Sequence, residues 1–281
     1  MSKKVLVPVH HLKESVKALE YLSNLFARQE CTFYLLHTYS YKMTGLDSLQ
    51  LLHEDEAFFA KPKEASENLI LSIKARFASA HLNNRHTYKA VSECSNLISS
   101  INRNVSKFQI DIVAVSMQAI QKGLYSFYNS KTKSILEKVR SCPVMVLPST
   151  VVPSKRSKIV FASNFTEPMG QGELVQLINI FGNTNIDFKI VQVGDENFLT
   201  DEQIENRDTL KVSLYGISKS PVKEVFVNSL DSLKGYGHEH AKSIICLLDR
   251  KPSFLRRLGF AKSPITTLGP ISKIPLIALH V

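Results

Sequence analysis

Residues 4–26 read KVLVPVHHLKESVKALEYLSNLF. A short apolar run, KVLVPV, passes directly into a stretch where Val16, Leu19, Leu22, Leu25 and Phe26 recur at spacings of three and four. The first run predicts a strand buried on both faces, and the second places one apolar stripe along a helix. A buried strand followed at once by a helix that packs back on it is the unit of a parallel sheet.

The unit recurs along the chain. Strands are expected at 32–38 (TFYLLHT), 87–92 (TYKAVS), 111–115 (DIVAV) and 143–147 (PVMVL), with helices near 64–81, 95–105 and 131–140. Residues 148–158 (PSTVVPSKRSK) carry two prolines, serines and a charge cluster, the composition of a linker. The pattern then restarts at 158–162 (KIVFA), with strands at 188–193, 222–227, 243–248 and 274–279 and helices at 174–181, 201–215 and 229–241. The chain therefore reads as two domains, 1–149 and 158–281, joined by a linker at 150–157. Each holds a five-stranded parallel sheet flanked by helices, with right-handed crossovers.

Composition narrows the functional classes. Over 281 residues, 44% hydrophobic and 21% charged content with 11 Gly and 11 Pro excludes a disordered or collagen-like chain. No apolar run approaches the roughly 18 residues of a membrane span. The opening Met-Ser-Lys-Lys leads into a strand without a signal-type cleavage site, so a cytoplasmic protein is expected. The net charge of +10 favours anionic ligands or acidic partners, and both halves contribute to it: 19 basic against 12 acidic residues in 1–150, and 16 against 13 in 151–281. No zinc-finger spacing or aromatic RNA-binding signature accompanies it, so nucleic acid is not expected. Cys31, Cys94, Cys142 and Cys246 lie far apart and read as reduced, mostly buried side chains rather than metal or redox ligands.

Three stretches carry a family resemblance: LVPVHHLKESVKALEYL at 6–22, DIVAVS at 111–116 followed by Cys142-Pro143-Val144, and IICLLD at 244–249 followed by Ile274-Pro275-Leu276. In these the chain resembles the universal stress protein family, as a tandem of two domains. The resemblance implies an adenine nucleotide alpha hydrolase-like, Rossmann-like α/β fold: two tandem open parallel five-stranded sheets, each of strand order 3-2-1-4-5. It also implies an internal pseudo-dimer with the fifth strands near the junction. Nucleotide-binding members carry Gly-two-residues-Gly-nine-residues-Gly-Ser/Thr after the fourth strand, and its amides and hydroxyl hold phosphates. The matching positions are Ser116, Ala119, Asn129 and Ser130 in the first half, and Asp249, Pro252, Lys262 and Ser263 in the second.

The spacing survives there but the glycines do not. A non-glycine residue forced left-handed costs roughly 1–2 kcal/mol, and Pro252 removes a donor outright. Asp249 sets a carboxylate where the anion would lie, and two unit charges about 4 Å apart repel by about 4 kcal/mol at an effective dielectric near 20. The family's acidic residue after the first strand is also missing: Val9 and His10, matched by Ser163 and Asn164, stand at that place, while Thr38 and Val193 follow the second strands. These fourteen positions are the candidate ligand site.

Other readings complete the expectation. Ser130 and Ser263 read as helix N-caps, which also attract small anions. The segment 250–262 (RKPSFLRRLGFAK) reads as a solvated basic face, whereas 120–128 (IQKGLYSFY) is chemically unlike it. His10 is placed to enter a cleft, but adjacent His11 points the other way, and His238 and His240 read as surface residues. No catalytic triad, carboxylate pair or activated cysteine can be assembled. The expected function is a non-enzymatic stress-response module, without cofactor or metal, that senses a small anionic ligand or binds a protein partner, with a homodimer as a further association open to it. The alternative is an adenine nucleotide (ATP or AMP, with magnesium) held by the first half, with weak ATPase activity.

Overall fold

The computed structural model describes residues 2–41, 56–80, 83–117, 120–122, 125–151, 158–182, 186–194, 199–240, 242–250, 264–271 and 273–280. Its first half comprises β1 (Lys3–Pro8), α1 (Leu12–Leu25), β2 (Cys31–Tyr39), α2 (Glu56–Ala80), β3 (His86–Cys94), α3 (Leu97–Phe108), β4 (Ile112–Met117), β5 (Ile120–Lys122), β6 (Tyr125–Phe127), α4 (Ser130–Lys138) and β7 (Val144–Pro148). The second comprises β8 (Lys158–Ser163), α5 (Gln171–Phe181), β9 (Asp187–Val193), α6 (Asp201–Ser218), β10 (Lys223–Val227), α7 (Leu230–Glu239), β11 (Ser243–Asp249), α8 (Pro264–Leu268) and β12 (Leu276–His280). Most of the expected linker, 152–157, lies outside the described residues.

The main sheet runs β10-β9-β8-β11-β12-β7-β4-β1-β2-β3. Numbered within its own half, each set of five strands has the order 3-2-1-4-5. The expectation of two separate sheets is corrected: β12 and β7 pair antiparallel, with Leu276 opposite Val146, Ile277 opposite Met145 and Ala278 opposite Val144, so the ten strands form one sheet. The physical reason lies at the edges. A fifth strand left as an edge would expose a row of unpaired backbone groups, and every residue of β7 and of β12 is buried.

Strand alternation then assigns each side chain to one of two cores, one per sheet face, and both cores run through both halves. Val5, Ala114, Met145, Ile277, Cys246 and Phe161 share one. Leu6, Val113, Val146, Ala278, Ile245 and Val160 share the other. A short hairpin, β5 with β6, pairs Ile120 with Phe127 in the segment between β4 and α4. Helix α2 starts earlier than the periodicity indicated, with Pro62 inside it.

Because the core of each face is continuous across the β7–β12 seam, Ile277→Ala should cost about 2–5 kcal/mol and lower the stability of the whole chain. Urea unfolding followed by circular dichroism should show one shifted transition. A first half that keeps an unshifted transition of its own would contradict this.

Candidate functional site

Open parallel sheets bind ligands beyond the carboxyl ends of their strands, and each half has a cleft there. In the first half a cleft of about 720 Å³ is lined by His10, His37, Thr38, Ser95, Asn96, Ser130 and Lys131, among others. An adjoining recess of about 150 Å³ shares His10, His11 and Lys131 and reaches Ser116, Asn129 and Thr132; the expectation that His11 points away is corrected, because His11 lies beyond β1 as the N-cap of α1, where strand alternation no longer holds. Six candidate positions belong to this half's described residues, and five of them converge here. The sixth, Val9, is fully buried in the core and lines neither space.

His10 follows β1, and its ring centroid lies 6.3 Å from that of His37 at the end of β2, nearly edge-on. Sequence reading missed His37, since nothing in the alternation of β2 sets it apart from a packing residue. Its Nδ1 lies 2.8 Å from the Ser66 hydroxyl, which lies 2.7 Å from that of Ser92, so α2 and β3 together orient the imidazole. Burial, then the Lys131 ammonium and the neighbouring imidazoles, pull His10 down to about 4. Burial and Lys131 also lower His37. Near neutrality His10 and His37 therefore stand as uncharged imidazoles beside Lys131.

Helix α4 aims its N-terminus at the same cleft. Here the expected cap is corrected by one residue: Asn129, not Ser130, is the N-cap, its side chain accepting from the Thr132 N–H at 2.8 Å. The extended backbone of Asn129 suits a cap, whereas Ser130 is already helical. The N–H groups of Ser130 and Lys131, first in the helix, have no intrahelical acceptor.

In the second half a cleft of about 540 Å³ is lined by Ala162, Ser163, Asn164, Thr166, Glu167, Val193, Leu230, Leu247, Leu248, Arg250 and Thr267. Ser163, Asn164 and Val193 are thus brought together as expected. Ser163 and Asn164 shape the turn after β8: the Ser163 hydroxyl accepts from the Phe165 N–H at 2.9 Å, and the Asn164 side-chain oxygen accepts from the Thr166 hydroxyl at 3.0 Å. Phe165 itself is buried in the left-handed region, at φ 58°. Arg250 forms an ion pair with Glu167 and donates from Nη2 to the Pro168 carbonyl at 3.0 Å.

Asp249 is placed otherwise than its sequence position implied. Its carboxylate is buried away from the cleft lining and accepts from Arg140 Nη1 at 2.5 Å, while Arg140 Nη2 donates to the Asp249 carbonyl. Arg140 belongs to the first half, so this pair crosses the junction. His280 Nδ1 lies 3.6 Å from the same carboxylate, and burial, against the pull of Asp249, lowers His280. The expected repulsion of an anion by Asp249 is therefore offset by a guanidinium that local sequence gave no means of placing, since it lies 109 residues away. Ala119, Pro252, Lys262 and Ser263, and the basic segment beyond Arg250, lie outside the described residues.

Elsewhere Cys31, Cys142 and Cys246 are buried and Cys94 is exposed, all four as free thiols. Burial pushes Cys31 and Cys142 up to about 12, far from nucleophilic use. Among the described residues no group of three or more His, Cys, Asp or Glu could hold a metal, and no helix is long and apolar enough to cross a membrane.

No protein-family model matches the chain, and no curated protein matches it. Solved structures do. A universal stress protein from Archaeoglobus fulgidus DSM 4304 superposes with a TM-score of 0.69 at 15% identity, covering 100% of this chain and 99% of that one. A functionally unknown protein from Pseudomonas aeruginosa PAO1 gives 0.59 at 12% identity, covering 99% and 92%. At such identities the likeness shows a shared fold across the whole tandem.

Two outcomes follow from this geometry. Arg140→Met strands a buried carboxylate and should cost about 3–5 kcal/mol, whereas the double variant with Asp249→Leu should recover most of the loss; a double-mutant cycle in urea measures both. The depressed His10 also makes stability acid-sensitive. Between its ordinary 6.5 and about 4 the unfolded chain binds a proton that the folded chain does not, so stability is full above that window and falls through it on acidification. His10→Asn should flatten that slope in unfolding midpoints taken from pH 7 to pH 4.

Proposed function

We propose that this chain is a stress-response module of the universal stress protein type, non-enzymatic, which binds a small ligand in its clefts and does not turn over ATP. The observation that carries the reading is the buried Arg140–Asp249 pair at the carboxyl end of β11. By the family resemblance, the phosphate loop of a nucleotide binder begins at that residue with a glycine whose bare backbone approaches the anion. Here the position carries a side chain in place of bare backbone, and its carboxylate and carbonyl hold the Arg140 guanidinium instead of an anion. Arg140 Nη1 and Nη2 are thereby taken up within the protein rather than offered to a phosphate. Four free cysteines fit a reducing, cytoplasmic setting.

A second reading, with an adenine nucleotide in the first half, is favoured by one observation of its own. Asn129 caps α4 yet leaves the first two helical N–H groups, together with the Lys131 ammonium, beside a cleft roomy enough for a nucleotide. Titration calorimetry with ATP, with and without magnesium, separates the two. The first reading expects no saturable micromolar heat and no phosphate release above buffer. Saturable binding that Ser130→Trp abolishes would replace it with the second.

A further inference from the structure

The first-half cleft gathers titratable side chains from several elements. His10 follows β1, His37 lies on β2, Lys131 is in the first turn of α4 and His11 caps α1, and all four line one space of about 720 Å³. The rings of His10 and His37 meet nearly edge-on, with centroids 6.3 Å apart. On the described elements Lys131 and His11 face this pair, with Glu14 of α1 in the adjoining recess and Tyr39 further along β2, itself beside Glu67 of α2. Glu93 of β3 is turned to α3, where it accepts from Ser100, Arg103 and Asn104.

Neither imidazole gains a proton readily while it faces Lys131 alone. A charged His10 would lose part of its hydration and stand beside an ammonium and a second ring, so burial and like charge both oppose it. The same two causes act on His37. Yet His37 is held in a way that accommodates either state. Its Nδ1 lies 2.8 Å from the Ser66 hydroxyl, and that oxygen lies 2.7 Å from the Ser92 hydroxyl. A hydroxyl both donates and accepts, so this chain can reverse with no movement beyond its hydrogens. Ser66 donates to a neutral His37; it accepts from a protonated one and passes its own hydrogen toward Ser92. The ring keeps its orientation in both.

An anion removes the obstacle. A negative charge among His10, His37 and Lys131 sets attraction to all three against their mutual repulsion and favours the charged form of whichever imidazole it meets. Proton uptake and anion binding then assist each other by the same factor. The backbone supplies further donors. Helix α4 starts behind Asn129, whose side chain accepts from the Thr132 N–H, and α3 starts behind Asn96, whose side chain accepts from the Ile98 N–H at 3.0 Å. Both starts line the cleft, through Asn96, Leu97, Ser130 and Lys131, so their other first-turn N–H groups open toward the same space.

We propose that the first-half cleft binds an oxyanion together with a proton, held by His10 and His37, so that the site gains its charge as its ligand arrives. The acidic residue that the family resemblance implies at the place of His10 could not serve in this way, because it cannot become positive. The inference rests on the ligand-binding reading above, yet the two fail separately. Anion binding that ignores pH would remove the proton and leave ligand binding in place, and ATP turnover would remove the non-enzymatic reading and leave the proton.

Sulfate tests it on the full chain, because its own charge stays constant while pH is taken from 7 to 5 across the ordinary histidine range. Titration calorimetry should show saturable binding at least about tenfold tighter at pH 5 than at pH 7. At pH 6, two buffers of unlike ionisation enthalpy should report about one proton taken up per sulfate. His10→Asn combined with His37→Gln should remove most of the pH dependence and His11→Gln should keep it, with circular dichroism checking that each variant is folded. In the wild-type chain, NMR signals of the His10 and His37 rings should move toward imidazolium positions when sulfate is added at fixed pH. Benzenesulfonate, a like head on a ring, separates a free ion from the end group of a larger molecule by which of the two binds more tightly. Equal sulfate affinity at the two pH values, no saturable binding at pH 5, dependence lost with His11→Gln alone, or ring signals unmoved at saturating sulfate overturns the assignment.

Discussion

The rest of the molecule depends on the antiparallel pairing of β7 with β12. Each of these strands ends a parallel set of five, and each is buried along its whole length. A buried strand edge without partners would strand backbone donors and acceptors at a cost comparable to lost hydrogen bonds, so the two edges satisfy each other. From that pairing follow one continuous sheet and a core on each face that ignores the boundary between halves. Polar contacts secure the same junction: Lys3 Nζ donates to the Asn179 carbonyl, the Tyr128 hydroxyl donates to that of Gly269 at 3.1 Å, and Arg140 pairs with Asp249.

The antiparallel seam also decides where the clefts sit. Strands within a half are parallel, and the two halves meet head to tail, so the carboxyl ends of the first set lie along the opposite edge of the sheet from those of the second. One ligand cannot touch both clefts. The positions equivalent in sequence are therefore free to diverge in chemistry. The first cleft carries His10, His11, His37 and Lys131; the described lining of the second carries apolar walls and the Glu167–Arg250 pair.

Element order was legible in sequence because periodicity is local: KVLVPV and DIVAV can only be buried strands, and Val16, Leu19 and Leu22 only one face of a helix. The sheet order of each half came from resemblance. The seam was not legible, since a run such as PVMVL reads the same whether its outer edge meets water or another strand. The three-residue strands of the β5–β6 hairpin are too short for alternation to register. At the candidate sites, the residues at the ends of β1, β2 and β8 were picked out by the family resemblance, and His10 also by its place at the carboxyl end of a parallel strand. His37 was missed because it sits in register with packing side chains of β2, and the partner of Asp249 because its contact spans the two halves.

The ion pair at the junction shows how a duplicated fold loses its symmetry. Asp249 has Ser116 as its counterpart in the first half, and serine offers no carboxylate for a reciprocal bridge. The Arg140–Asp249 contact can therefore form only at the edge where the amino ends of the first half meet the carboxyl ends of the second. A buried pair of this kind contributes little net stability against a well-packed apolar alternative, because desolvation offsets most of its attraction. What it does impose is position: Arg140 bonds both the carboxylate and the backbone carbonyl of Asp249, and Arg250, the next residue, reaches Glu167 and the Pro168 carbonyl. The first half thus fixes the point from which the second half's turn is held.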